Sequence, residues 1–339
     1  MNMRLSVTVL LSCLFFISCS NNGKNPDVSN IHINLTTERF EKDLFDTTSF
    51  NLTNYLSKLQ SSTPSFTRTY IDTILSADPA WPTDTVANYV NGFIKAYRPI
   101  YEKAEKIFSD FTPYQKEIEK GLQYVSYYFP AYKIPTKIIT YIGPLDGFGD
   151  IISRDAFIIG LQHHLGKDFE MYKTEYVQQT YPEYVSNHFE PDYIVVNCIK
   201  NIVADIYPEK NDDKPLVNQM VEKGKRLYVL SKLLPDTEEY KLIGYTQQQL
   251  KDCYAREDVV WDLFIKNGYL QISDRNITKN YMDESPKTQE LGEAAPGNIG
   301  SFAGWQIVKK YMQKNSGSSL QELLKTDNEK IFQEAKYKP

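Results

Sequence analysis

Histidine is scarce in this 339-residue chain: there are four, and none stands in an H-E-x-x-H helix motif. Cysteine is equally rare, with Cys13, Cys19, Cys198 and Cys253. Basic residues do not exceed acidic ones (38 Lys and Arg against 43 Asp and Glu, formal charge −5), which excludes the basic stripe that nucleic-acid binding requires. A G-x-S-x-G elbow is missing, so serine hydrolysis has no support. No cysteine pairs recognisably with a histidine. Internal repeats and long low-complexity segments are also absent. What remains is a composition 41% hydrophobic and 24% charged, with 25 tyrosines and 17 phenylalanines, suited to a large aromatic-rich core.

The one long apolar run is at the start. Arg4 precedes Leu5–Ile17 (LSVTVLLSCLFFI), too short to span a bilayer and laid out as a secretory leader. Phe16-Ile17-Ser18-Cys19 resembles a bacterial lipobox, which implies cleavage before Cys19 and acylation of its thiol. Lipid chains bury many methylenes at about 0.8 kcal/mol each, enough for a stable anchor when more than one is attached. Ser20–Asn30 (SNNGKNPDVSN) then reads as a polar, disordered tether. Ser20 after the cysteine favours an outer-membrane lipoprotein facing the periplasm. Cys198 and Cys253 stay in the mature chain, where export permits a disulfide, although Cys198 fits equally well as a small buried hydrophobe.

Downstream the pattern is mostly helical. Ile31–Leu35 alternates like a strand, ERFEKDLF is a short helix, and Leu52, Tyr55, Leu56 and Leu59 mark another that Ser61–Phe66 breaks. Thr83–Phe111 is long and amphipathic, with Pro99 expected to kink or split it. Pro113–Phe129, Phe169–Gln178, Tyr193–Tyr207, Pro215–Leu234, Thr246–Lys266, Gly300–Gln313 and Leu320–Leu324 repeat the helical spacing. Lys137–Ile142 (KIITYI) and Ala156–Leu161 (AFIIGL) are short and β-branched, and predict a hairpin or two neighbouring strands. In Tyr193–Tyr207, Val195, Cys198, Ile199, Ile202 and Ile206 share one face, and Asn197, Asn201 and Asp205 stack four apart on another.

Few polar groupings suggest chemistry. If His163-His164 continues the preceding strand, the two rings point to opposite faces and cannot share an ion. His32 and His188 are isolated and expected to be structural. The Gly143–Asp150 loop (GPLDGFGD) lacks the lysine of a phosphate loop, carries Asp146 and Asp150 of the wrong sign, and offers too few ordered oxygens for calcium; a tight turn is the better reading. Exposed tyrosines could bind glycans, though many fall on apolar faces.

Three blocks carry a family resemblance: Ile158–Tyr172 (IIGLQHHLGKDFEMY), Leu216–Pro235 followed by GYTQQQLKDC, and Pro296–Asn315 (PGNIGSFAGWQIVKKYMQKN). With the lipobox they resemble the gliding-motility lipoprotein GldB family of the Bacteroidetes, over roughly Ile31 to Leu324. The resemblance implies an envelope lipoprotein serving, or descended from, the gliding and type IX secretion apparatus. The layout is similar, more distantly, to predicted zinc peptidases whose equivalent of Tyr193–Tyr207 carries H-E-x-x-H and whose next helix supplies a glutamate. That resemblance puts the ligand pair on Asn197 and Asn201, the general base on Cys198, and the third ligand on Lys223, with Glu222 one place early. Amide oxygens bind Zn²⁺ weakly, an ammonium repels it, and a thiol cannot replace the carboxylate base, so these read as vestigial positions with no metal and no cofactor.

The expected fold is α+β and mainly helical: a small central β-sheet or hairpin packed by amphipathic helices, zincin-like but without the metal site. Its expected divisions are a signal peptide (1–18), lipidated Cys19 with a tether (19–30), one globular domain (31–325) and a charged tail (326–339). The expected function is a non-catalytic envelope lipoprotein related to the gliding and secretion apparatus. It would be membrane-bound through its lipid and would act through protein contacts, possible motor components among them, and not on nucleic acid. The alternatives are a hydrolase using Glu222, Asp205 and His163, or a glycan binder using a clustered, solvent-facing set of Tyr and Trp, against which burial of Trp81, Trp261 and Trp305 would count.

Overall fold

Buried β-branched runs and amphipathic spacing sort the chain into a small sheet and a surrounding set of helices. The structure, a computed structural model, describes residues 25–46, 64–210 and 213–339, with Asn54, Leu56, Ser57 and Ser61 between them. The leader lies outside the described residues, as do Leu52, Tyr55 and Leu59 of the expected helix, whereas Asn54, Leu56 and Ser57 are helical and Leu56 is buried. No helix among the described residues is long and apolar enough to cross a membrane.

The sheet holds β1 (Thr36–Arg39), β2 (Lys137–Tyr141), β3 (Ile151–Ile152) and β4 (Ala156–Gly160) in the order β1-β2-β4-β3. β2 and β4 are parallel, Lys137 opposite Ala156 through Tyr141 opposite Gly160, so they are neighbours and not the two arms of a hairpin. Parallel strands need a long return, and residues 142–155 provide it. Near-continuous burial along both strands fits a sheet covered on two faces. The antiparallel turn in the sheet is instead β3 to β4, with Ile151 opposite Ile158.

Before β1, the Ile31–Leu35 alternation does not become a strand. α1 (Phe40–Phe45) follows β1, α2 (Pro64–Thr69) comes next, and α3 (Thr83–Ile107) and α4 (Thr112–Tyr128) lead to β2. Gln115 and Gln123 of α4 donate to the carbonyls of Leu35 and Ile31 at 2.8 and 2.9 Å, taking the acceptors a strand partner would use. Residues 25–30 depart from the expected disordered tether. Val28 is buried in the core and its carbonyl accepts from Ile31 N–H at 3.0 Å.

Among the described residues, Ser61 and Pro64–Phe66 are helical where a break was expected. α3 runs unbroken through Pro99. Pro99 and Lys95, whose carbonyl loses its donor, are both exposed, so water can satisfy that oxygen.

After the sheet come a 3₁₀ turn at Leu161–His163, another at Glu170–Lys173, then α5 (Glu175–Thr180) and α6 (Glu183–Ser186). The expected Phe169–Gln178 helix is thus divided at Thr174, which is extended. α7 (Tyr193–Ile206) and α8 (Leu216–Leu233) follow, then α9 (Glu239–Ile243), α10 (Gln247–Ala255), α11 (Glu257–Lys266) and α12 (Arg275–Met282). The Thr246–Lys266 pattern is two helices because Arg256 leaves helical geometry (φ −127°), while Thr246 and Gln249 close a capping box at the first. α13 (Ile299–Lys314), α14 (Leu320–Lys325) and α15 (Asn328–Ala335) end the chain.

The expected charged tail is wrong in kind. α15 packs on α8 and α13, and Ile331 and Ala335 are fully buried. α8 and α13 form the most extensive helix pair. They cross at Gly224 and Gly304: a Cβ at Gly304 would lie 1.8 Å from the Met220 carbonyl oxygen, and one at Gly224 would lie 2.2 Å from that of Gly304. Backbones this close leave no room for a side chain.

Candidate functional site

The polar line of α7 faces the β3 edge of the sheet. Asn197 donates through Nδ2 to Asp150 Oδ2 at 2.8 Å, and Asn201 donates to the Asp150 backbone oxygen at 3.2 Å. Asp150 closes the Gly143–Asp150 loop just before β3, and its carboxylate also accepts from Gly160 N–H at 3.2 Å. The next partner is His164, whose Nε2 lies 2.9 Å from Asp150 Oδ2 while its Nδ1 lies 3.0 Å from the Glu190 carbonyl oxygen. The Asp150 and His164 side chains are only 4% and 1% exposed.

The charge state follows from the acceptors. A backbone carbonyl cannot donate, and a carboxylate that already takes two N–H donors is best left ionised, so both imidazole nitrogens carry protons. Burial opposes charge on each partner. The mutual attraction outweighs it, with the Asn197 hydrogen bond adding to Asp150 and the Glu190 carbonyl adding to His164. Asp150 is held below the ordinary carboxylate range, and His164 above the ordinary histidine value.

His163 behaves oppositely. It stacks on Phe189 at 4.4 Å, and its Nε2 meets the Leu145 carbonyl oxygen at 2.9 Å. Burial pushes its pKa down to about 4, so it is neutral near pH 7. Between Leu161 and Leu165, Gln162 is fully buried too. It accepts from Gly143 N–H at 3.0 Å and donates to the Phe148 carbonyl at 2.8 Å. The segment leaves the strand as a 3₁₀ turn, so the expected strand alternation of the two histidines does not occur. Both rings and Gln162 instead hold down one loop, residues 143–150.

The four positions matched to a metal site do not converge. Asn197 and Asn201 serve Asp150. Cys198 lies in the core at 1% exposure, its thiol raised well above its usual value by burial and then by the Asp150 charge. Lys223 donates to the Met282 carbonyl at the end of α12, at 2.7 Å. Among the described residues no group of three or more His, Cys, Asp and Glu side chains could hold a metal ion. The donor set does not fit zinc: two amides already committed as donors, a buried thiol and an ammonium.

The residues of the hydrolase alternative are also dispersed. Glu222 is bound by Lys214 and Arg226 at 2.9 and 3.1 Å, Asp205 accepts from Tyr132 at 2.8 Å, and His163 belongs to the loop clamp. Of the tryptophans, Trp305 and Trp261 are buried, and only Trp81 is exposed, against Tyr89. Cys198 and Cys253 are free and buried.

Sequence reasoning weighed Asp150 and His164 separately and missed their pairing. The signal was polar Gln-His-His inside the apolar run Ile158–Leu165, a pattern that burial makes expensive unless each group finds a partner. Fold and site define a mainly helical protein with a small, open mixed sheet, whose central helix spends its polar line on an internal ion pair. The chain belongs to the gliding motility protein GldB family, whose model matches residues 21–339. Searches of the curated proteins and of the solved structures gave no match.

Proposed function

We propose that this protein is a non-catalytic lipoprotein of the cell envelope that serves the gliding and type IX secretion apparatus through protein contacts. It is cleaved before Cys19, acylated there and held at the outer membrane facing the periplasm. The observation that carries this reading is the family match over nearly the whole chain. The match starts at residue 21, just after the lipobox cysteine, which supports the expected division between leader and mature protein. The state of Asn197 and Asn201 supports the absence of chemistry: both amides donate inward to Asp150 and offer no open ligand pair. The zincin likeness belongs to this reading as well, with α7 in the place of the metal helix and Asn197, Cys198, Asn201 and Lys223 as vestigial positions.

Two measurements test it. Metabolic labelling with an alkynyl fatty acid should mark the protein and fail on Cys19→Ala. Affinity capture from detergent-solubilised envelopes should bring secretion-motor components along; a clean preparation without them removes the apparatus reading. Stoichiometric zinc surviving dialysis of the chain from Ser20 onward would overturn the non-catalytic part.

A further inference from the structure

Four segments distant in sequence meet around a cleft of about 790 Å³, on a part of the fold that the Asp150 network does not use. They are the stretch after α4, the end of α7, one face of α8 and the junction of α14 with α15. The size suits a small-molecule site, for which roughly 300–1,000 Å³ is usual. One wall is apolar and aromatic, made by Phe129, Tyr132, Ile206, Tyr207 and Leu324.

The charge of the cleft is uneven. Lys210, Lys214, Lys225 and Lys325 line it against Glu222 and Asp327. Both acids are already engaged. Glu222 is paired with Lys214 and Arg226, and Asp327 Oδ1 accepts from Lys330 N–H at 3.0 Å as the cap of α15. Lys225 is the unusual member: it is 1% exposed, and among the described residues it has no carboxylate within 4 Å. Its Nζ donates to the Thr326 carbonyl at 2.5 Å, but Tyr207 Oη and the Leu324 carbonyl stand at 3.5 Å, the limit of a hydrogen bond. Two of its donors are thus long, the Tyr207 ring lies 5.5 Å away, and the Glu222 and Asp327 charges act on it only through space, so the buried ammonium is incompletely compensated. Burial lowers its pKa to about 8, which still leaves it charged at neutral pH.

We propose that this cleft binds an amphiphilic organic anion, with its carboxylate or phosphate head on Lys225 Nζ and its apolar body along Tyr132, Ile206 and Leu324. An anionic head supplies a direct counter-charge and takes the two long donors. The aromatic wall shields the remainder of the ligand from water. This site goes beyond the envelope reading and does not depend on it.

The chain from Ser20 onward holds every described residue and serves as the test protein. It is titrated with 1-anilinonaphthalene-8-sulfonate and, in parallel, with N-phenyl-1-naphthylamine, which has the same rings and no charge. The sulfonate probe should bind at one site and be displaced by decanoate or decyl phosphate but not by decanol. Whichever of the two displaces at lower concentration identifies the head. Lys225→Met should weaken the sulfonate probe about ten-fold, the loss expected for one charge-assisted hydrogen bond. Ala131 is exposed at the mouth, and Ala131→Trp should block binding by filling it. Near-UV circular dichroism checks both folds. Should Lys225→Met not fold, Ala131→Trp and exposed Lys325→Glu decide the matter. Equal binding of the two probes, or sulfonate binding unchanged in the folded variants, overturns the site.

Discussion

At the scale of single residues, the buried histidines pull stability in opposite directions with pH. His163 has a depressed pKa, about 4 in the fold against 6.5 unfolded, so between those values the unfolded chain binds a proton that the native state refuses. Stability therefore falls as pH drops through that window, by up to roughly 3 kcal/mol for this group. His164 has a raised pKa, so its contribution is complete below 6.5 and is lost as pH rises through its folded value. Asp150 is depressed, so its contribution holds above 3.8 and fades as pH falls through its folded value. His163→Gln should flatten the acid limb of a stability-versus-pH curve from urea unfolding, while leaving the alkaline limb in place. Asp150→Asn strips the counter-ion from a buried imidazolium and should destabilise by about 3–5 kcal/mol at pH 7. A loss below 1 kcal/mol in chemical denaturation would show that the pair is not ionised. The sequence made His163 and His164 visible as a pair and hid their roles, because their partners Leu145, Asp150 and Glu190 lie 14 to 26 residues away.

At the scale of elements, the close crossing of α8 and α13 is the most exacting contact in the fold. Its two glycines lie within the blocks that carry the family resemblance, Gly224 in Lys-Gly-Lys and Gly304 in Phe-Ala-Gly-Trp. The glycine after Lys223 is thus required by the packing of the two helices. Gly304→Ala should cost about 3 kcal/mol or more, since a methyl set against backbone must push two helices apart. Thermal unfolding of this variant beside Gly317→Ala, which meets nothing within 4 Å, isolates the packing effect. Helical spacing placed both elements correctly. It could not show that they touch, because a stripe of apolar residues names a buried face and not the face across from it. The same limit keeps the pairing of β2 and β4 open in the sequence, as a hairpin or as neighbours: pairing direction depends on the path of residues 142–155.

For the molecule as a whole, the last fourteen residues belong to the body. Tyr337 donates to Glu257 at 2.5 Å, Lys314 reaches the Ala335 carbonyl at 2.6 Å, and Ile331 is fully buried. Ending the chain at Lys325 should lower the urea midpoint and raise dye binding to the uncovered faces of α8 and α13; an unchanged midpoint would restore the idea of an independent tail. Removal of the tail also dismantles the Thr326–Asn328 edge of the Lys225 cleft. The same truncation should therefore abolish ligand binding without touching Cys19, which separates the proposed cleft from the proposed anchor.

The sequence by itself determined the helical character, the apolar face of Tyr193–Tyr207, the two inner strands and the family, since each is written in local periodicity or in contiguous motifs. It also showed that Asn197, Cys198, Asn201 and Lys223 make a poor zinc site, a matter of side-chain chemistry alone. Only the tertiary structure decided what those residues do instead. Asn197 meets Asp150 across 47 residues of chain, and Lys225 meets Thr326 across 101. Such partners are chosen by the path of the backbone and by the demand that every buried polar group be satisfied, and neither leaves a period in the sequence.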